Sequence, residues 1–272
     1  MKSPSILTFT ISLILTVFLA CAENASQPIS IRDAEPLIPA SSILKNWKTF
    51  AYYQSDYMPL KGKFHAYDSN YNEISKDQCL RLYSTGAYLP LRLNLRNDSI
   101  YYKMIRMDDS VPGNLRYQIG LLGQRYYQNF KREGTRFPRF NFEDMEGTVY
   151  NNENMKGKTL VVKCWFIHCQ ACIAEFPELN KMVNKYKGRD DIIFLSMAFD
   201  SKAQLRNFLQ KRGFSYKVLP VPETYISDTL GVSIYPTHFI VDGKGIIRMV
   251  SSNAHEIEVA LEEGLNDELS HQ

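Results

Sequence analysis

Cysteine is scarce in this sequence. Five in 272 residues are too few for a disulfide scaffold in a chain this long. Surplus charge is scarce as well: 32 Lys+Arg stand against 29 Asp+Glu, a net +3. No basic run sharpens that balance, so a nucleic-acid partner has no support. No internal repeat and no low-complexity segment occurs, and the composition excludes a collagen and a coiled coil. Apart from one stretch at the N-terminus there is no long apolar run, so a polytopic membrane protein is excluded too. What is present is globular in character: 44% hydrophobic, 22% charged and 12% aromatic residues, in a length suited to one or two domains.

The N-terminal stretch reads as an address. Lys2 is the only charge before Glu23, and Ile6 to Ala20 is uncharged and mostly apolar. A positive start followed by an apolar segment of this length fits a signal peptide. A spanning helix wants about 20 apolar residues, which makes an uncleaved anchor the weaker reading. The segment ends in Phe18-Leu19-Ala20-Cys21, which resembles a bacterial lipobox. Phe18 stands where Leu is usual. On this reading residues 1–20 are removed and Cys21 is lipidated. Cleavage after Ala22 is the alternative, because Ala20-Cys21-Ala22 also fits an A-x-A site. The expected location is the cell envelope, lipid-anchored and facing the periplasm; the alternative is a soluble secreted protein.

Residues 21–44 are polar, contain Pro28, Pro36 and Pro39, and read as a flexible tether. Residues 45–134 read as a small β-rich or α+β unit with a linking helix. Twelve of the 17 tyrosines lie between Tyr52 and Tyr127. Leu91 to Arg96 alternates as a half-buried strand does, Asn97-Asp98 offers a turn, and Ser99 to Met107 returns. Lys61 to Tyr67 is a weaker strand candidate. Leu115, Ile119, Leu122, Tyr126 and Phe130 recur at helical spacing, with Gly134 as a stop. This unit shows no catalytic constellation and reads as a packing or docking module. From residue 135 to the end, strands and helices alternate. Short strands flank Met145-Glu146-Gly147. Thr159 to Phe166 and Asp191 to Ala198 are continuous apolar runs suited to buried strands. Ala171 to Tyr186 is helical but interrupted by Pro177. Ser201 to Lys211 is helical, Tyr216 to Val221, Thr237 to Val241 and Gly245 to Val250 are strands, and His255 to Leu265 closes as a helix. The pattern implies an α/β domain with its sheet between helices.

Cys169-Gln170-Ala171-Cys172 falls where the strand ending at Phe166 meets the helix beginning near Ala171. A helix start stabilises a thiolate through unpaired N–H groups and the dipole. Cys172, one turn inward, is spaced to attack a mixed disulfide formed at Cys169. Half of a zinc site is the competing reading of a lone CxxC, and no second CxxC or HxxxH supplies the missing ligands.

The stretch Lys163 to Pro177 resembles the active-site segment of membrane-tethered thiol–disulfide reductases of the TlpA/ResA type, in the redoxin/AhpC-TSA superfamily. Trp165 matches their Trp four residues before the first cysteine, and Glu175 and Pro177 match their Glu and Pro after the second. Tyr235-Pro236-Thr237-His238-Phe239-Ile240-Val241-Asp242-Gly243-Lys244-Gly245 resembles their Pro-Thr strand followed by Asp-x-x-Gly. The resemblance covers about residues 135–268 and implies a thioredoxin-like fold, a central mixed sheet flanked by helices. It implies that Pro236 is cis and faces the dithiol, exposing the Tyr235 backbone to a substrate strand. It implies a redox-active Cys169–Cys172 disulfide, no other cofactor, protein disulfides as substrates and a membrane or periplasmic thiol as electron donor.

The departures are His168 before the first cysteine and Ala171 before the second, where Trp and Pro are common. They leave the potential, and so the direction of exchange, open. Thioredoxin has a buried Asp where this chain has Lys163. The proton acceptor for Cys172 is then Glu175, His168 or water. Glu175 is favoured, and its other reading is a solvated helix-face carboxylate. Cys164 reads as a buried structural thiol, and Cys79 has no visible partner. Three alternatives stand beside a reductase: an oxidase or isomerase of the same fold; a peroxiredoxin, for which Phe166 stands where a Thr or Ser is needed; and a copper-binding assembly factor using Cys164, Cys169, Cys172 and His168, with His238 nearby.

Overall fold

A computed structural model describes residues 30–95 and 99–270, the side chains of 265–270 excepted. Cys21, the leader, the first part of the expected tether and the Asn97-Asp98 turn lie outside the described residues. No helix among those described is long and apolar enough to cross a membrane.

Two bodies of core share the chain. The first begins with α1 (Ala40–Ile43) and α2 (Trp47–Tyr57), then β1 (His65–Tyr67), β2 (Glu73–Ile74), α3 (Lys76–Ser84), β3 (Tyr88–Arg92), β4 (Tyr101–Arg106) and α4 (Gly113–Arg132). Its sheet runs β2-β1-β4-β3, with β1 parallel to β4 and the other pairs antiparallel. Apolar faces of α2, α3 and α4 cover it with Phe50, Leu80, Leu115 and Ile119. The buried phenol of Tyr53 is satisfied: it donates to Pro90 O and accepts from Arg92 N–H, both at 2.8 Å. Gly123 brings α4 against the backbone of α3, so close that a Cβ there would sit 2.4 Å from Tyr83 O.

This unit corrects two expectations. Residues 34–44 are not a free tether. Leu37 N–H donates to Arg92 O and Asn94 N–H to Glu35 O, extending the strand edge, and Ala34 and Ile43 are buried in the core. Second, the unit carries helices α2 and α3 as well as α4. Both short helices start with reciprocal caps, Asn46 with Thr49 and Ser75 with Gln78, which satisfy N–H groups that a helix start leaves free. The strand expected from Leu91 is centred further back, at Tyr88–Arg92.

The second body follows as β5 (Asn141–Glu143), β6 (Val149–Asn151), β7 (Thr159–Trp165), α5 (Gln170–Ala174), α6 (Phe176–Lys185), β8 (Ile192–Ala198), α7 (Lys202–Leu209), β9 (Lys217–Pro220), β10 (Thr237–Val241), β11 (Ile247–Ser251) and α8 (Ala254–Ser270). A π-turn at Tyr225–Thr229 was not foreseen. The five-stranded sheet runs β11-β10-β7-β8-β9, parallel through β7, β8 and β9 and antiparallel through β10 and β11. Central β7 is buried along almost its whole length, as its apolar run requires. One face carries Leu160, Val162 and Cys164 into a core with Phe137, Phe140 and Leu219. The other carries Val161 and Trp165 under α6 and α8. This is the thioredoxin-like arrangement, and it places the start of α5 just beyond the C-terminal end of β7.

Candidate active site

Cys169 caps α5, and its Sγ accepts the Cys172 N–H at 3.2 Å. The two cysteines form a disulfide with their Cα atoms 5.2 Å apart. Cys169 keeps 8% of its surface exposed and Cys172 none, so an incoming disulfide meets Cys169 first. The approach loop is pinned: Cys169 N–H donates to Phe166 O at 3.1 Å and Ile167 N–H to Asp200 Oδ2 at 2.9 Å. His168 and Gln170 flank the site and are exposed. Beneath lies Trp165, fully buried, with its ring 5.1 Å edge-on from Phe176. The helix expected over Ala171 to Tyr186 with an interruption at Pro177 is divided two residues earlier, at Glu175. Pro177 has no N–H to give and is accommodated in the first turn of α6.

The Tyr235–Pro236 peptide is cis. Thr237 pairs with Cys164 across β10 and β7, which puts Pro236 at the level of Trp165, on the end of the sheet where the dithiol lies. The Tyr235 ring meets Phe166 edge-on at 5.2 Å and lies 5.9 Å from Phe199. Phe166, Ile167 and Tyr235 pack on the core that holds both cysteines, giving the site an aromatic rim.

Glu175 is not a solvated carboxylate. Its side chain is 16% exposed, against 0% for both Lys163 and His238. Its Oε2 accepts from Lys163 Nζ at 2.5 Å and from His238 Nε2 at 3.0 Å, and its Oε1 accepts the Ala254 N–H at 3.2 Å. Burial pushes the Glu175 carboxyl pKa upward, but His238 and Lys163 outweigh it and hold the group below its usual value. Burial lowers the pKa of Lys163 against the pull of Glu175. Burial lowers that of His238 as well, and the Lys163 charge adds to it. The sequence reading missed this cluster. One clue was present: a lysine inside the otherwise apolar run of β7 must find a buried partner. That His238 stands directly opposite it follows only from the strand register.

Among the described residues, Cys164 and Cys79 lie apart from the dithiol. Burial pushes the Cys164 thiol up to about 12, and it faces the opposite side of β7 from the dithiol. The copper set therefore does not assemble as expected: Cys164 points away and His238 is engaged by Glu175. Among the described residues, the side chains that gather at metal-ligand spacing are Glu178, His255 and Glu258, none of them a cysteine. Cys79 lies in the first core with Met104 Sδ at 3.4 Å, its pKa also pushed up to about 12 by burial.

Comparison with known proteins agrees with the geometry. Residues 134–250 match the model of the AhpC/TSA family. The thiol-disulfide oxidoreductase ResA of Bacillus thuringiensis (strain Al Hakam) is 28% identical over 145 residues, covering 50% of this chain and 84% of that protein. The thioredoxin-like protein YneN of Bacillus subtilis (strain 168) is 25% identical over 138 residues, covering 48% and 81%. Among solved structures, a thiol:disulfide interchange protein DsbE from Chlorobium tepidum aligns at TM-score 0.43 and 22% identity, over 47% of this chain and 96% of that one.

Proposed function

We propose, on the premise that residues 134–250 are an AhpC/TSA-family domain and the chain is a thiol–disulfide oxidoreductase of thioredoxin-like fold, that it works as a membrane-tethered, extracytoplasmic disulfide reductase. The observation that carries the exchange chemistry is the asymmetry of the dithiol: Cys169, on a helix start, keeps 8% of its surface exposed and Cys172 is sealed beneath it. The reductase direction rests on the resemblance to ResA-type proteins. The Cys169 thiolate attacks one sulfur of a protein disulfide. That bond breaks, a mixed disulfide forms, and the other substrate sulfur leaves as a thiolate and takes a proton. Cys172 gives its proton to Glu175, and its thiolate attacks Cys169 Sγ. The mixed disulfide breaks and the substrate leaves with both sulfurs reduced. The Cys169–Cys172 disulfide is the product, and a membrane or periplasmic dithiol returns it to the reduced state by the same exchange with two electrons. No small-molecule cofactor enters these steps. Pro236 and the Tyr235 backbone line the edge where the substrate strand lies. The tether is Cys21, and its support is the leader sequence.

The experiment is the equilibrium reduction potential of the Cys169/Cys172 pair, read against thiol buffers of known poise. A value near the roughly −270 mV of reducing thioredoxins supports a reductase, and a value near the roughly −120 mV of strong oxidants reverses the direction. A pair that forms no reversible disulfide defeats the redox reading. Cys172→Ser is expected to trap substrate proteins on Cys169.

A further inference from the structure

We propose that Lys163 and His238 are positioning residues for the resolving half-reaction: together they hold the Glu175 carboxylate ionised and aimed, ready to take the Cys172 proton. This rests on the role given to Glu175 above and adds two residues to it.

Register makes the argument first. His238 on β10, Lys163 on β7 and Ser196 on β8 are neighbours in one row across three strands. All three are fully buried. They share the sheet face of Val161, Trp165, Ile240 and Phe194, the face that α5, α6 and α8 cover. A polar row through the middle of an apolar face is costly unless its charges are paired. Glu175 supplies the pairing from above. It lies three residues after Cys172 along the helical turn, and such neighbours on a helix have Cβ atoms about 5–6 Å apart.

The hydrogen-bond geometry then favours one protonation state. A lysine ammonium can only donate, so the oxygen it meets must be an acceptor. Glu175 Oε2 receives Lys163 and His238 together, and Oε1 receives the Ala254 N–H at the start of α8. Three donors converge on one carboxylate, which favours its anion. His238 must then carry its proton on Nε2. Its Nδ1 is buried with no partner among the described residues, so a second proton there would be an unsolvated charge beside the Lys163 cation. The cluster is thus one cation, one anion and one neutral imidazole. The groups facing Glu175 are Lys163, His238 and the Ala254 N–H, with the Tyr216 phenol from β9 further off and engaged by Met182 Sδ at 4.0 Å. The cores on this face of the sheet include the apolar Leu179 and Met182 of α6 and Leu205 of α7.

The consequence is a proton acceptor that stays in its basic form as the pH falls. Without the Lys163 charge or the His238 donor, burial is left to raise the Glu175 pKa, and each unit by which that pKa exceeds the pH costs about tenfold in the ionised fraction. The loss would strike only the resolving step, because Cys169 attacks without Glu175.

An aromatic disulfide reagent such as dithiobis-nitrobenzoate separates the two steps on the reduced full chain. It releases one coloured thiolate when Cys169 attacks and a second when Cys172 resolves. Glu175→Gln is expected to slow the second phase about 100-fold, within the range of general-base effects, and to leave the first unchanged. His238→Leu and Lys163→Met are expected to match the native second phase at about pH 9 and to fall about tenfold behind it at about pH 6. His238→Gln, which keeps a donor, is expected to stay near native. Should Lys163→Met not fold, the Leu and Gln variants at His238 carry the test, with the infrared band of a protonated Glu175 carboxyl appearing near neutral pH only in His238→Leu. Folded His238→Leu and Lys163→Met with the native pH profile would overturn the inference and leave Glu175's role standing. A normal second phase in Glu175→Gln would overturn both, while the dithiol reading would still be judged by loss of that phase in Cys172→Ser.

Discussion

The two cores of this molecule both bury cysteine, to opposite ends. In the first core Cys79 lies against Met104 and behaves as a small apolar side chain, its thiol held protonated by burial. In the second, Cys169 and Cys172 sit where a strand hands over to a helix, with a backbone N–H aimed at sulfur. Cys164, five residues before Cys169, is buried and its thiol is held protonated, as that of Cys79 is. On the proposed function, reactivity is expected to follow from position at a helix start and from access, not from residue type or from proximity in sequence. The sharpest way to break this comparison is to exchange the cysteines singly. Ser at Cys169 or Cys172 is expected to abolish turnover of a protein disulfide. Ser at Cys79 or Cys164 is expected to leave turnover near native and to cost about 1–3 kcal/mol in denaturant unfolding, because a buried hydroxyl replaces a thiol that needs no partner. Turnover lost in Cys164→Ser, with the fold intact, would make that thiol a third redox group.

A second contrast lies in how helices meet their sheets. Gly123 lets α4 touch the backbone of α3 in the first core, whereas α6 and α8 stand off on large side chains in the second. Gly123→Ala replaces a helical glycine by a better helix former, worth up to about 1 kcal/mol. The new Cβ would nevertheless overlap Tyr83 O and force the helices apart, for a net loss of about 1–2 kcal/mol. The two tryptophans divide between the cores, Trp47 on α2 and Trp165 under the dithiol. Trp47→Phe therefore leaves a reporter of the second core alone. We expect Gly123→Ala to lower the transition seen by Trp47 and to spare disulfide exchange. A matching shift at Trp165 would mean that the cores unfold as one.

The same contrast explains what could be read from residues alone. β7, β8 and the Cys169–Cys172 turn were legible because long apolar runs and a strand-to-helix switch need no knowledge of partners. The Leu115 to Phe130 helix was legible from its spacing. Helices α2 and α3 were not, because tyrosines and polar residues blur the apolar stripe of α2 and α3 is too short to show a repeat; the reciprocal caps at Asn46–Thr49 and Ser75–Gln78 announce them. Residues 34–44 looked like a linker because their pairing is through backbone atoms, which composition does not reveal. At the site, Glu175 was a named candidate, but its environment was not. The partners that decide it, Lys163 and His238, are 75 residues apart in sequence and meet through strand register.

The smallest expected effect sits at the seam between the cores. Lys61 reaches from the first unit to donate to Val250 O on β11 and lies over the Tyr126 ring, 5.4 Å from its centre. Burial pushes its pKa down to about 8, against the opposing pull of Glu256 and Glu133. The unfolded chain keeps a lysine near its ordinary value of roughly 10.4. Between about pH 8 and that value the unfolded state binds more protons than the folded one, so this residue makes stability rise with pH across the window. Below about pH 8 both states are charged and the folded protein bears the full desolvation cost. The side chain is only half-buried by residue surface, so the change across the window is discounted to about 1–2 kcal/mol. Lys61→Met removes the proton and keeps most of the apolar stem. Denaturant titrations of both proteins from about pH 7 to 10 are expected to show the native chain gaining on the variant as the pH rises. Parallel profiles would mean that water reaches the Lys61 amine, and that the two cores touch without sealing the surface between them.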